Sequence, residues 1–133
     1  MPTSKIEYLG NLRTKCTHLK SGVEIVTDAP VDNNGKGEAF SPTDLVATAY
    51  VSCMMTIIGI YCNNHNISFT LGFGEVNKIM GSDPRRIGKL EIYLDFSGNN
   101  WPDEIQKRVR NAGEACPVAK SVGDIELEIN YQF

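Results

Sequence analysis

A long stretch without charged residues sets the strongest limit on how this chain can fold. From Leu45 to Cys62 there is no Asp, Glu, Lys or Arg. The four preceding residues, SPTD at 41–44, form a helix start in which the serine caps, the proline suits the first helical position and the aspartate lies three residues after the cap. We therefore predict one helix from residue 42 to about residue 64. Such a helix is apolar on all faces and needs cover on all sides.

The other predicted elements are mostly strands with alternating apolar residues. In chain order they are strands at 4–9, 12–18 and 23–27, a loop at 28–40, the long helix, strands at 67–80 and 86–97 joined by a turn at 81–84, a second helix from 101, and a strand at 124–132. This order predicts an α+β fold in a single domain, 1–133, with a mostly antiparallel sheet of five or six strands wrapped on the long central helix.

One such sheet covers only one side of an all-apolar helix. We therefore expect a homodimer in which two of these helices bury each other. A membrane span is the alternative, because the uncharged stretch reaches the lower limit of a spanning helix. Polar or small residues interrupt it at Thr48, Ser52, Thr56 and Gly59, and strand-like segments flank it. We predict no membrane partner.

Charge and cysteine usage narrow the class of protein further. The net charge is −3, and no basic cluster is longer than Arg85–Arg86, so we predict no nucleic-acid partner. The first 15 residues contain no apolar segment of the secretory kind. The four cysteines are too widely and irregularly spaced for a disulfide scaffold. We predict a cytoplasmic protein with reduced thiols.

Two cysteines are candidates for chemistry. Cys53 lies mid-helix among apolar residues, where burial raises the pKa of a thiol and makes it inert unless a cation such as arginine is adjacent. Cys116 precedes Pro117 at the predicted start of a short helix, and a helix N-terminus lowers the pKa of a thiol. From the residues alone, Cys116 is the more reactive thiol. A plain structural role in the core is the alternative for each.

The remaining cysteines pair with the two histidines at ligand-like spacing, Cys16 with His18 and Cys62 with His65. These patterns are short and common, so we predict no metal site and no cofactor. A metal-binding module remains the alternative reading of these four residues.

Four segments of the chain together resemble the OsmC/Ohr family, the osmotically inducible and organic hydroperoxide resistance proteins. They are YLGNLR at 8–13, TDAPVDNNGKGEAFSPTDLVATAYVSC at 27–53, DPRRI at 83–87 and CPVAKSV at 116–122. The resemblance implies an intertwined homodimer with two long central helices. It also implies a thiol peroxidase in which one cysteine becomes a sulfenic acid and a second condenses with it into a disulfide.

The resemblance assigns roles to individual residues. Cys53 is the implied peroxide-attacking thiol and Cys116 the resolving thiol, which reverses the order favoured by the helix-end argument. Arg13 is the implied stabiliser of the thiolate, reaching it across the dimer interface. In the best-known branch a glutamate follows the proline of the helix start and pairs with this arginine, whereas here Thr43 holds that position. Glu38 and Asp44 are the candidates to replace it, and an unpaired, mobile arginine is the other possibility.

The sequence thus predicts a thiol-dependent peroxidase that reduces organic hydroperoxides in oxidative stress defence, recycled by a dithiol reductant. The alternative, favoured by the departure at Thr43, is a non-enzymatic OsmC-like dimer that binds a small apolar or electrophilic ligand in the same cleft.

Overall fold

The computed structural model describes residues 1–133 and contains two compact units, Met1–Val46 and Ala47–Phe133. The elements are β1 Ser4–Gly10, β2 Arg13–His18, β3 Glu24–Asp28, α1 Pro42–Asn64, β4 Phe73–Gly81, β5 Arg86–Asp95, α2 Asp103–Glu114, α3 Pro117–Ser121 and β6 Glu126–Gln132. The predicted α+β class is confirmed. The assignment of 1–133 to a single domain stays a prediction.

The first unit contains an antiparallel sheet with strand order β1-β2-β3. Its register places Arg13, the first residue of β2, opposite Asp28, the last residue of β3. The predicted loop at 28–40 therefore begins one residue too early, because Asp28 is the last residue of β3. This position brings the Asp28 carboxylate into contact with the Arg13 guanidinium.

α1 starts where it is predicted to start. Ser41 and Asp44 cap it by exchanging two hydrogen bonds. The backbone N–H of Asp44 donates to Ser41 Oγ at 3.0 Å, and the backbone N–H of Ser41 donates to Asp44 Oδ2 at 2.9 Å. Each side chain satisfies an amide that the helix itself leaves without a partner. The helix ends at Asn64, as predicted.

The second unit contains a second three-stranded sheet, with order β4-β5-β6. The expectation of one sheet of five or six strands is therefore wrong for the single chain, which builds two sheets. β4 and β5 form the predicted hairpin, but β6 runs parallel to β5 because α2 and α3 lie between them in the chain. The predicted inward face of β5 is confirmed. Three alternate residues of the strand and the phenylalanine directly after it are buried: Leu90, Ile92, Leu94 and Phe96.

The predicted strand at 67–80 begins too early. β4 starts only at Phe73, and the preceding segment packs its aromatic side chain into the core instead. The Phe69 ring lies 5.6 Å from that of Phe96 and 5.5 Å from that of Trp101, measured between centroids. Alternating apolar residues predict an extended chain here, but its path follows aromatic contacts with Phe96, just after β5, and Trp101, two residues before α2.

α1 buries one stripe of its surface in the core of the second unit. The buried residues recur at helical spacing: Ala47, Tyr50, Val51, Met54, Ile58 and Cys62. Apolar residues elsewhere on the helix, among them Val46 and Ile60, remain exposed. By length and composition α1 is the one helix that could cross a membrane, a test that core helices of soluble proteins also pass. The expected absence of a membrane partner stays a prediction.

Candidate functional site

Two of the predicted site residues meet in the second unit. Cys53 lies in the middle of α1, and Cys116 lies immediately before α3. The two thiols are close enough for Cys53 to raise the pKa of Cys116, and both cysteines are free. Residues 63 positions apart in the sequence are therefore brought together by the packing of α1 against the segment that joins α2 to α3. Two free thiols side by side are the starting point for thiol–disulfide chemistry.

Cys116 does not have the lowered pKa that its position at a helix start predicts. Its Sγ does cap α3, accepting a hydrogen bond from the backbone N–H of Ala119 at 3.4 Å. However, Cys116 is fully buried, and burial is the largest influence on its pKa, which it raises. The amide of Ala119 lowers the pKa and the neighbouring Cys53 raises it further. The helix-end prediction is wrong because desolvation outweighs one amide of a five-residue helix.

A buried phenol accompanies the thiols. Tyr50 precedes Cys53 by three residues on α1 and is only 5% exposed. Burial raises its pKa, and negative charge on Cys116 and Glu114 raises it further. The hydroxyl of Tyr131, on β6, donates to Glu114 Oε2 at 3.2 Å. Burial is likewise the main cause of the raised pKa of Tyr131. Both phenols therefore stay neutral at physiological pH.

A second cluster lies in the first unit, around Arg13. Arg13 Nε donates to Asp28 Oδ1 at 2.7 Å, and Nη2 donates to Asp28 Oδ2 at 2.8 Å. Nη2 also donates to Glu38 Oε1 at 3.0 Å. The backbone N–H of Glu38 donates to Asp28 Oδ2 at 3.1 Å. Asp28 is 1% exposed, whereas the Glu38 side chain is 65% exposed.

The hydrogen bonds within this cluster shift the pKa values of Asp28 and Arg13. The hydrogen bonds from Arg13 hold the pKa of Asp28 below its usual value, although burial opposes them. The same bonds raise the pKa of the guanidinium. A bidentate pair of this kind fixes both position and orientation of the arginine.

The two candidate replacements for the missing glutamate have different partners. Glu38 contacts Arg13, as one of the sequence alternatives proposed. Asp44 receives the Ser41 amide in the cap of α1, and the Thr43 hydroxyl lies 3.2 Å from that of Ser41. The arginine is therefore not unpaired, which excludes the third possibility.

The two clusters lie in different units, the arginine in the first and the thiols in the second. The potential metal ligands are divided in the same way, with Cys16 and His18 in the first unit and Cys62 and His65 in the second. No group of three or more His, Cys, Asp or Glu side chains is arranged to hold a metal ion. Burial raises the pKa of Cys62 and favours its thiol form, which is not the form that binds metals.

Sequence reasoning missed two residues of these clusters. Asp28 falls within the predicted loop, and the observed register of β2 and β3 is what sets it opposite Arg13. Tyr50 was not singled out, although its spacing of three residues from Cys53 places both on one side of the helix. Asp28 is identified by its partner on the adjacent strand, and Tyr50 by the helix face that it shares with Cys53.

Comparisons with known proteins agree with one another. Residues 35–131 match the model of a family described as OsmC-like protein. None of the curated proteins matches the chain. A protein of known structure from Psychrobacter arcticus 273-4, provisionally described as an osmotic stress induced and detoxification response protein, is 49% identical, with 98% of this chain and 96% of that one covered and a TM-score of 0.93.

More distant structures share the fold. An organic hydroperoxide resistance protein OsmC from Legionella pneumophila is 18% identical, with 100% and 98% of the two chains covered and a TM-score of 0.75. The organic hydroperoxide resistance protein OhrB of Bacillus subtilis is 17% identical, with 98% of each chain covered and a TM-score of 0.67. At this identity the likeness shows the fold.

Proposed function

This chain belongs to the OsmC-like family, and on that premise we propose that it is a dimeric, cytoplasmic thiol peroxidase that reduces organic hydroperoxides. The observation that carries the proposal is the proximity of two free thiols, Cys53 on α1 and Cys116 at the start of α3. The names of the Legionella and Bacillus proteins, both organic hydroperoxide resistance proteins, support the substrate class.

In the first step the Cys53 thiolate attacks the distal oxygen of the hydroperoxide. The O–O bond breaks, the alkoxide leaves as the alcohol after taking up a proton, and Cys53 becomes a sulfenic acid. Cys116 then attacks the Cys53 sulfur. The S–S bond forms as the sulfenic hydroxyl leaves, with the Cys116 proton, as water. A dithiol reductant reopens the disulfide by exchange, which returns both thiols and leaves the reductant as its own disulfide.

The difference between the two thiols supports this order. Cys116 is fully buried with a raised pKa, so it is poorly suited to meet a peroxide from solvent as a thiolate. Cys53 is half-buried and accessible to a small substrate. The cation that Cys53 requires is, in this proposal, Arg13 of the partner protomer. The apolar residues of α1 around Cys53 favour alkyl or fatty-acyl hydroperoxides over hydrogen peroxide.

Exposed apolar surface supports the dimer. The sheet of the first unit and its turns leave several large apolar side chains exposed: Ile6, Tyr8, Leu9, Leu12, Val23 and Ile25. A soluble monomer rarely keeps so much apolar surface on one small sheet. Light scattering during size exclusion should give about twice the chain mass of 14.7 kDa. A monomer at micromolar concentration would remove the dimer from the proposal.

The decisive test is rapid-mixing reduction of tert-butyl hydroperoxide and of a fatty-acid hydroperoxide with dithiothreitol as the reductant. Wild type should turn over rapidly, Cys53→Ser should fall to the rate of the free dithiol, and Cys116→Ser should accumulate a sulfenic acid that dimedone traps. Cys16→Ser is the matched control and should behave as wild type. A wild-type rate equal to that of free dithiol would reject the enzyme and favour an apolar-ligand-binding dimer.

A further inference from the structure

The charges around Arg13 do not suit a group that stabilises an anion. One guanidinium faces two ionised carboxylates, Asp28 and Glu38, so the triad carries a net charge of −1. Lys36, an exposed residue of the following loop, also lowers the pKa of Asp28, but by less than Arg13 does. A thiolate brought to this triad meets more negative than positive charge, which disfavours it.

The two carboxylates differ in how firmly they are held. Asp28 receives both an Nε–H and an Nη2–H, is almost completely buried and also accepts the Glu38 amide. Glu38 receives a single hydrogen bond at 3.0 Å, and its side chain is 65% exposed. An exposed single contact of this kind contributes little free energy and is readily exchanged for water. Only Glu38 can therefore leave without exposing a buried charge.

The N–H groups of Arg13 fall into two sets, those that bind the carboxylates and those that do not. Its bonds to the carboxylates use Nε and Nη2 and leave the two N–H groups of Nη1 for another acceptor. Asp28 fixes the plane of the guanidinium, so the direction of the Nη1 donors is fixed as well. When Glu38 moves into solvent, one Nη2–H is freed beside them and the net charge of the triad becomes zero.

We propose that Glu38 is an inhibitory, exchangeable counter-ion that lowers the reactivity of Cys53 while it is bound to Arg13, and that Asp28 is the positioning residue that keeps the arginine in place when Glu38 leaves. This inference rests on the proposed pairing of Arg13 with the Cys53 thiolate. Glu38 then has the opposite effect to that of a supporting catalytic residue, since removing its charge raises the reactivity of Cys53.

The test measures thiolate formation without a peroxide. Alkylation of Cys53 by iodoacetamide is followed by peptide mass spectrometry from about pH 5 to about pH 9. Glu38→Gln should alkylate roughly two- to fivefold faster than wild type at neutral pH, with its profile displaced to lower pH, because one nearby negative charge is gone. Arg13→Gln should alkylate more slowly than wild type.

Two further variants separate charge from structure. Glu38→Asp keeps the charge near Arg13 and should stay close to wild type, whereas a merely structural effect would appear in both Glu38 variants. Glu24→Gln removes an exposed carboxylate from the same sheet, where it pairs with Lys15, and should change nothing. Asp28→Asn should cancel the gain when combined with Glu38→Gln, because the arginine is no longer oriented.

The outcomes distinguish this inference from the proposed function. A Glu38→Gln rate equal to or below that of wild type, with Arg13→Gln still slow, overturns the role of Glu38 and leaves the peroxidase intact. An unchanged Arg13→Gln profile overturns the pairing itself and with it this inference. Faster alkylation in Glu38→Gln in a protein that reduces no hydroperoxide supports the inference and rejects the peroxidase.

Discussion

The backbone amide of Ala119 donates a hydrogen bond to the sulfur of Cys116 at 3.4 Å, yet the pKa of that thiol is raised. One amide favours the thiolate, and complete burial disfavours it by more. Because a raised pKa lowers the thiolate fraction at neutral pH, Cys116 should remain a thiol until Cys53 has been oxidised. In the proposed peroxidase reaction, this keeps Cys116 from reacting before Cys53.

The first prediction concerns this protection. At pH 7 the folded protein should alkylate at Cys116 at least about tenfold more slowly than the urea-unfolded chain, and the difference should shrink as the pH rises. Iodoacetamide labelling with peptide mass spectrometry measures both states in one experiment. Equal rates in the folded and unfolded protein would contradict the burial argument.

A second prediction concerns acid stability. Arg13 holds the pKa of Asp28 below its usual value, so the folded state binds this proton less readily than the unfolded chain does. The stability that results is complete above the ordinary aspartate pKa of about 4, and it is lost as the pH falls further, through the depressed value. Asp28→Asn should lower the melting temperature at neutral pH and flatten its fall in acid.

The control for that measurement is Glu24→Gln, which removes a carboxylate from the same strand whose ion pair with Lys15 is exposed. Its melting temperature should follow the wild-type curve at every pH. If Asp28→Asn also follows that curve, the pair with Arg13 contributes nothing to acid stability.

A third prediction tests the close approach of α2 to α1. A Cβ added at Gly113 would lie 2.9 Å from Cδ1 of Ile58, which is fully buried. Gly113→Ala should therefore lower the free energy of unfolding by about 1–3 kcal/mol. The better helix propensity of alanine offsets part of this loss. Ile58→Val alone removes the clashing atom and should cost about 0.5–1.5 kcal/mol.

The double variant makes this contact measurable. In the Ile58→Val background Gly113→Ala should cost less, with a coupling free energy of at least about 0.5 kcal/mol from urea unfolding. The protein concentration is kept fixed, since the proposed dimerisation would make the measured stability depend on it. Strict additivity of the two changes would show that the helices do not meet at this point.

A fourth prediction concerns the start of α1. Ser41→Ala removes the acceptor of the Asp44 amide and should lower the free energy of unfolding by about 1 kcal/mol, within a range of about 0.5–2 kcal/mol. Ser41→Asn should restore most of that loss, because asparagine caps equally well. Ser52→Ala, at an exposed position inside the same helix, is the control and should show no such loss.

Much of this fold could be read from local pattern. The SPTD start and the uncharged run fix the bounds of α1 because capping and helical burial act within a few residues. The alternation in β5 likewise gives its buried face. The pairing of β5 with β6 could not be read in this way, because a parallel neighbour is set by the crossover of α2 and α3.

The candidate site divides along the same line. The candidate residues come from the sequence: Cys53, Cys116 and Arg13 through the family resemblance, and Glu38 as a candidate to replace the glutamate that is absent at Thr43. Their burial and their partners come from the three-dimensional packing. It buried Cys116, so that desolvation overrides the helix end, and it set Asp28 against Arg13. Desolvation and charge pairing depend on neighbours distant in sequence, and no local pattern records them.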